Sequence, residues 1–312
     1  MKKIMTVTLN PAVDKTYTTQ GVIVGNVNRM RTVVKIAGGK GVNVTKILRQ
    51  YGYDVAATGF LGGYSGRFIE EELVKRGAQC CFIHVAGETR NNMNILADDG
   101  YVTEILEPGP VISQEEKEAF LAQYDAMLPE CGLVILSGSV AQGVDVGIYE
   151  TLITRAAALY VPVYLDSSAE SLCLGMRAKP QMIKPNWREL EYIMGRRITD
   201  REQIVESARL LCSEGIPRVV VSMGSKGLVS ITENGVLYAR TNGIVPVNTV
   251  GCGDSVVASY AMSYVDGETE EQAIMRACAI SAANATTAES ANIPLETARE
   301  LMNKIIVEKS DT

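Results

Sequence analysis

Short apolar runs alternate with longer stretches in which an apolar residue recurs every three or four positions. "VTKILRQY" sets Val44, Ile47, Leu48 and Tyr51 at helical spacing. "DVAATGFLG", "LVILSGS", "VPVYLDSS", "QMIKPN" and "PRVVVSMGSKG" are β runs, each ending in small or polar residues, and helical stretches over 114–128, 145–160 and 200–214 lie between them. Apolar strands alternating with helices predict an α/β fold: a mostly parallel sheet covered on both faces. Ligands of such sheets bind beyond the carboxyl ends of the strands, where all these polar tails fall. Two segments break the rhythm. Residues 11–37 show β alternation without a helix, with Arg29, Arg31 and Val33 pointing one way and Met30, Thr32 and Val34 the other. Residues 88–107 predict a hairpin turned at Asp99-Gly100, with Arg90, Asn92 and Asn94 on one face and Met93 and Ile95 on the other. A small extra sheet follows, polar toward a ligand and apolar behind, its back needing cover from the same chain or a second copy. "TENGVLYA" predicts another hairpin at Asn234-Gly235.

Composition narrows the class. Of 312 residues, 46% are apolar and 21% charged, enough for a full core. The net charge of −6 and the lack of a basic run exclude an extended nucleic-acid surface, although local lysines and arginines can hold small anions. Seven cysteines, an odd number without a C-x-x-C pair, predict a reduced, cytoplasmic protein. "MKKIMTVTLNPAVD" reads as a first strand rather than a leader, and no apolar run approaches the roughly 18 residues of a membrane span. His84, the sole histidine, excludes a multi-histidine metal site and reads as structural, so proton transfer falls to a carboxylate.

Gly251-Cys252-Gly253-Asp254 opens a long apolar helix pattern. Glycines at a helix start let an anion reach the free amides and the positive end of the dipole. Asp254 beside that anion could accept a proton from an attacking hydroxyl, and the helix terminus is expected to hold it ionised, below the usual carboxylate range. The plainer reading makes Asp254 an ordinary N-cap. "IAGGKGVNVTKIL" places Gly38, Gly39, Lys40 and Gly41 before a helix, able to hold an anion or sugar hydroxyls; it is neither a P-loop nor G-x-G-x-x-G, and a glycine turn with a solvated lysine fits equally. In "KPNWRELEYIMG", Asn186 and Glu189 form a complete capping box, which spacing favours over a place near Mg²⁺. "VSMGSKG" could receive a nucleotide or be a tight turn, and Arg29 and Arg90 could be solvated edge charges. Together, however, two glycine-rich helix starts, a carboxylate and an arginine-bearing flap map to one edge.

"AGGKGVNV" and "NTVGCGDSVVASY" resemble, in order and separation, the two signature regions of the ribokinase-like (PfkB) carbohydrate kinases, over essentially the whole chain. "TLNPAVDKT", "GETRNNMNIL", "TEILEPGP", "SGS", "LDSS" and "IKPN" narrow the likeness to kinases of phosphorylated ketohexoses. The resemblance implies a three-layer α/β/α core over 1–10, 38–87 and 108–312 with a β lid over 11–37 and 88–107, pairing with a second subunit's lid in a homodimer. It implies ATP and Mg²⁺ and conversion of a ketohexose monophosphate to the 1,6-bisphosphate, tagatose 6-phosphate before fructose 1-phosphate. Asp254 matches the catalytic base, and Gly251, Cys252 and Gly253 the anion hole. Cys252 departs from the commoner alanine or serine, with little consequence where a backbone N–H does the work. Asp14, Gly38, Gly39, Lys40 and Asn43 match sugar-binding positions, and Arg29, Arg90 and Ser139 those holding the sugar's phosphate. Lys184, Asn186, Ser222, Gly224, Gly227 and Asn284 match the ATP side, with Glu189 near Mg²⁺ through water. A non-catalytic sugar-phosphate sensor is the rival of another class, against which Asp254 and its flanking glycines speak; a nicotinamide dehydrogenase lacks its glycine spacing.

Overall fold

The computed structural model describes residues 2–99 and 101–310. The alternation of runs becomes a ten-stranded sheet. Its parallel part comprises β1 (Lys3–Thr8), β4 (Val55–Gly62), β5 (Gln79–Val85), β8 (Cys131–Ser137), β9 (Val163–Asp166), β10 (Met182–Ile183) and β11 (Arg218–Ser222). The antiparallel strands β12 (Leu228–Thr232), β13 (Gly235–Arg240) and β14 (Ile306–Ser310) extend one edge, giving the order β14-β13-β12-β11-β10-β9-β8-β1-β4-β5. The chain leaves β1 toward β4 and β5 and later returns to its other side at β8, so a switch point lies beside β1. The hairpin expected at Asn234-Gly235 joins β12 to β13.

Helices cover both faces. On one lie α1 (Lys40–Gln50), α8 (Cys252–Asp266), α9 (Glu270–Ala285) and α10 (Leu295–Met302), burying Val44, Ile47 and Leu48 against Val256, Tyr260, Ile274 and Ile280. On the other lie α3 (Gln114–Met127), α4 (Ile148–Ala157), α5 (Ala169–Met176), α6 (Trp187–Met194) and α7 (Arg201–Ser213), around Phe120, Tyr124, Leu152, Leu190 and Ile204. A third cluster joins Ile69 and Leu73 of α2 (Gly63–Lys75) to Val13 and Ala37, seating the small sheet on the large one.

The small sheet has β2 (Ala12–Thr19), β3 (Thr32–Gly38), β6 (Arg90–Ala97) and β7 (Val102–Leu106) in the order β3-β2-β6-β7. Its register puts Asp14 beside Asn92, and Arg90, Asn92 and Asn94 do share a face. Gly100 of the expected turn lies outside the described residues. The alternation expected over 28–36 is corrected: the strand starts only at Thr32, and Arg29 is exposed in the loop 20–31. Asn28 is the cause, because its side chain accepts from the Ile23 amide (2.8 Å) and donates to the Ile23 and Asn26 carbonyls, closing a loop in place of a ladder. His84 lies on edge strand β5, bonded to Glu70 (2.9 Å), in keeping with a structural role.

Candidate active site

Helix α8 begins at a left-handed backbone that favours glycine. Gly251 is its N-cap at φ 83°, where an added Cβ would stand 3.2 Å from the Ala291 amide nitrogen. The first-turn amides therefore open toward the carboxyl edge of the sheet without a side-chain cap. Asp254 is not the N-cap: it sits inside the first turn, 5% exposed, and accepts a hydrogen bond from Asn43 Nδ2 of α1 at 2.8 Å. The expectation of a depressed pKa is corrected. Burial, reinforced by the charge of Asp166, pushes the Asp254 carboxyl up to about 6 despite Lys40, Asn43 and Lys184. Desolvation outweighs the helix dipole here because the side chain turns away from water.

Asp166, at the end of β9, is 1% exposed between two ammonium groups, Lys40 Nζ at 3.0 Å and Lys184 Nζ at 3.5 Å. Burial would raise its pKa, but the two lysines outweigh that and lower it. Burial works against the Lys40 charge, yet Asp166, Glu189 and Asp254 together raise its pKa. Gly253 has room for this cluster: a Cβ there would be 3.2 Å from Lys184 Nζ. Sequence reasoning missed Asp166, although the first charged residue after an apolar strand was its signal.

On the polar face of the small sheet, Asp14 accepts from Asn92 Nδ2 at 2.8 Å, and burial is the main cause of its raised pKa. Gly38 faces it so closely that a Cβ would lie 2.0 Å from Asp14 Oδ2. Gly39, at φ 98°, leads into Lys40. Arg90 donates to the carbonyls of Asn10 and Glu107 (3.2 Å each), and Asn10 Nδ2 reaches Ser139 Oγ at 3.4 Å. Arg29 stands apart, on its exposed loop.

Beyond Gly253 opens a cleft of about 550 Å³, a size suited to a nucleotide. Asn186, Ser222, Gly224 and Gly227 line one wall, and Ile244, Pro246, Val256 and Ala285 offer apolar surface. Asn284 is instead a brace. It is 1% exposed, donates to the Val250 carbonyl (2.8 Å) and accepts from the Ala291 amide (2.9 Å), holding the turn from behind. Asn186 and Glu189 form the capping box expected, with bonds of 2.9 and 2.8 Å. The cap uses Glu189 Oε2, while Oε1 lies 3.9 Å from Lys40 Nζ, so one carboxylate caps α6 and faces the site. Of the expected residues, Asp254, Asn43, Lys40, Lys184 and Glu189 form one charged cluster, and Asp14, Gly38, Arg90 and Ser139 lie at the small sheet's junction with the large one.

Residues 4–298 match the pfkB family of carbohydrate kinases. A tagatose-6-phosphate kinase from Staphylococcus epidermidis is 34% identical over 307 residues, covering 97% of this chain and 99% of that protein. A Thermotoga maritima structure described as a possible 1-phosphofructokinase superposes with a TM-score of 0.90 at 29% identity, covering 99% of this chain and all of that one. Phosphofructokinase-2 from Escherichia coli, in its potassium complex, shares the fold at a TM-score of 0.91 and 23% identity, over 97% of this chain and 99% of its own. The matched span, these likenesses and the buried carboxylate at a glycine-opened helix start lead to one conclusion: the chain belongs to the pfkB carbohydrate kinases, phosphotransferases acting on a sugar hydroxyl with ATP as donor.

Proposed function

We propose that the chain transfers the γ-phosphoryl group of ATP to the free terminal hydroxyl of tagatose 6-phosphate, giving the 1,6-bisphosphate. The observation that carries this reading is Asp254, a buried carboxylate one residue from the floor of a nucleotide-sized cleft. In the step, Asp254 takes the hydroxyl proton, the sugar oxygen bonds to the γ-phosphorus, and the bond from that phosphorus to the bridging oxygen of ADP breaks. The amides of Cys252 and Gly253 would stabilise the charge on the transferring group, with Lys40 and Lys184 nearby. Asp14 and Asn92 would hold sugar hydroxyls, and Arg90 with Ser139 the existing phosphate. The choice of tagatose 6-phosphate is supported by the 34% identical relative. Purified protein with Mg-ATP, assayed for ADP release, should show its highest kcat/KM with tagatose 6-phosphate. A preference for fructose 1-phosphate would move the assignment, and no turnover of either sugar or of fructose 6-phosphate would overturn it.

Mg²⁺ fits the donor set as a partly hydrated ion. No cluster of three ligating side chains occurs among the described residues, but Glu189 Oε1 is spared by its cap and buried Asp166 Oδ2 has no hydrogen-bond partner. Glu189, through water, and Asp166 would hold the ion, which when bound neutralises triphosphate charge. Glu189→Gln keeps a capping box and removes the charge. It should leave the melting temperature nearly unchanged while the Mg²⁺ concentration for half-maximal rate rises severalfold; an unchanged Mg²⁺ titration would confine Glu189 to its cap.

The raised Asp254 pKa gives a sign for pH dependence. The base works ionised and is protonated as pH falls through about 6, so kcat/KM should fall tenfold per pH unit below that value. A rate constant flat down to pH 5 would exclude Asp254 as the base.

The seven free cysteines support a reducing, cytoplasmic setting, and no helix among the described residues is long and apolar enough to cross a membrane. On the back of the small sheet, Val33 and Ile105 are 50% and 46% exposed. This is the surface proposed to pair with a second copy. Sedimentation velocity should give a dimer that Ile105→Glu dissociates, and a monomeric parent would rule the pairing out.

A further inference from the structure

Lys46 lies in the middle of α1, 2% exposed, and the chemistry above makes no use of it. Its Nζ donates to two peptide carbonyls, Ala37 at 3.2 Å and Ser290 at 3.0 Å. Burying an ammonium group against neutral carbonyls costs several kcal/mol, whereas a methionine would fill the same space without that cost. Burial lowers the Lys46 pKa to about 8, so the group is still charged at neutral pH. The two acceptors belong to opposite halves of the site. Ala37 is the penultimate residue of β3, next to Gly38 and paired with Val13, the neighbour of Asp14. Ser290 precedes Ala291, whose amide is held by Asn284 and which packs against Gly251 at the start of α8.

We propose that Lys46 is a positioning residue for phosphoryl transfer: its ammonium ties the end of the sugar-side strand to the segment behind the phosphate-binding turn, fixing the spacing between acceptor and donor. The proposal rests on the reading of Asp254 as the base, since that reading puts the donor at this turn. A tie of this kind acts on orientation, where displacements near an ångström lower rates steeply.

The test uses the full-length protein with Lys46→Met, Lys46→Gln and Lys46→Arg. Lys46→Met should fold, lower kcat on the order of tenfold and leave the KM for ATP within about twofold. Hydrogen exchange should quicken at the backbone amides of 249–254 and 290–291 but not in the distant strands β12 and β13. Lys46→Arg should restore most of the rate. If Lys46→Met does not fold, Lys46→Gln, which keeps two donors without the charge, supplies the same readouts. Wild-type kcat together with unchanged exchange in a folded variant would overturn the proposal, as would a uniform loss of protection across the whole sheet. Parent protein that turns over no ketohexose phosphate would overturn the proposed substrate instead, and the exchange measurement would still judge the tie.

Discussion

Asp254→Asn is expected to lower turnover by about 10²- to 10⁴-fold, the range for loss of a positioned general base, while leaving sugar binding intact and making the protein more stable. The amide is isosteric and can present its carbonyl oxygen to Asn43 Nδ2, so the 2.8 Å bond survives. What disappears is a buried charge. Burial and the neighbouring Asp166 raise the carboxyl to about 6. A carboxyl raised on folding stabilises the fold in acid, and that contribution is lost as pH rises from its unfolded value through about 6. Carrying the ionised form above pH 6 therefore costs about 3 kcal/mol. The variant's melting temperature should exceed the parent's by a few degrees at pH 7.5, and the gap should close below about pH 4. Calorimetry at the two pH values and a coupled kinetic assay read both effects. Turnover at the parental rate would remove Asp254 from the chemistry. A lower melting temperature at pH 7.5 would mean that the carboxylate is paid for elsewhere in the site.

The raised pKa of Asp254 could not be seen in the letters around it. The glycines of "GCGDS" announce a helix start and a close approach, and both are present at Gly251. The pKa of Asp254 depends on Asp166, Lys40 and Lys184, which lie 88, 214 and 70 positions away in sequence and meet only through the sheet. The parallel strands were legible because their apolar runs are buried on both faces, as at Val134–Leu136 and Val219–Val221. Arg29 was misplaced because alternation in "NRMRTVV" mimics a strand, whereas a side-chain clasp at Asn28 decides the backbone. Asn284 illustrates another limit: a polar residue on a helix next to a glycine turn can brace that turn from behind.

Gly38→Ala should raise the KM for the sugar phosphate about a hundredfold while leaving the KM for ATP within about twofold. The doublet Gly38-Gly39 suggests a backbone opened for an external anion, but at Gly38 the space is filled from within. A Cβ there would fall 2.0 Å from Asp14 Oδ2, and Asp14 cannot simply turn aside because Asn92 holds its other oxygen at 2.8 Å. The methyl group must expel the carboxylate, which on the proposed reading removes a hydrogen-bond acceptor for the sugar and misaligns the hydroxyl offered to Asp254. Gly38 does not sit at a positive φ, so backbone strain contributes nothing and the effect should be confined to this contact. Asp14→Ala in the Gly38→Ala background separates the causes. With no carboxylate left to displace, the double variant should be no worse than Asp14→Ala alone, so that the two losses are far from additive. Equal, additive losses would show that Gly38 serves the sugar directly, through its own backbone, and not through Asp14.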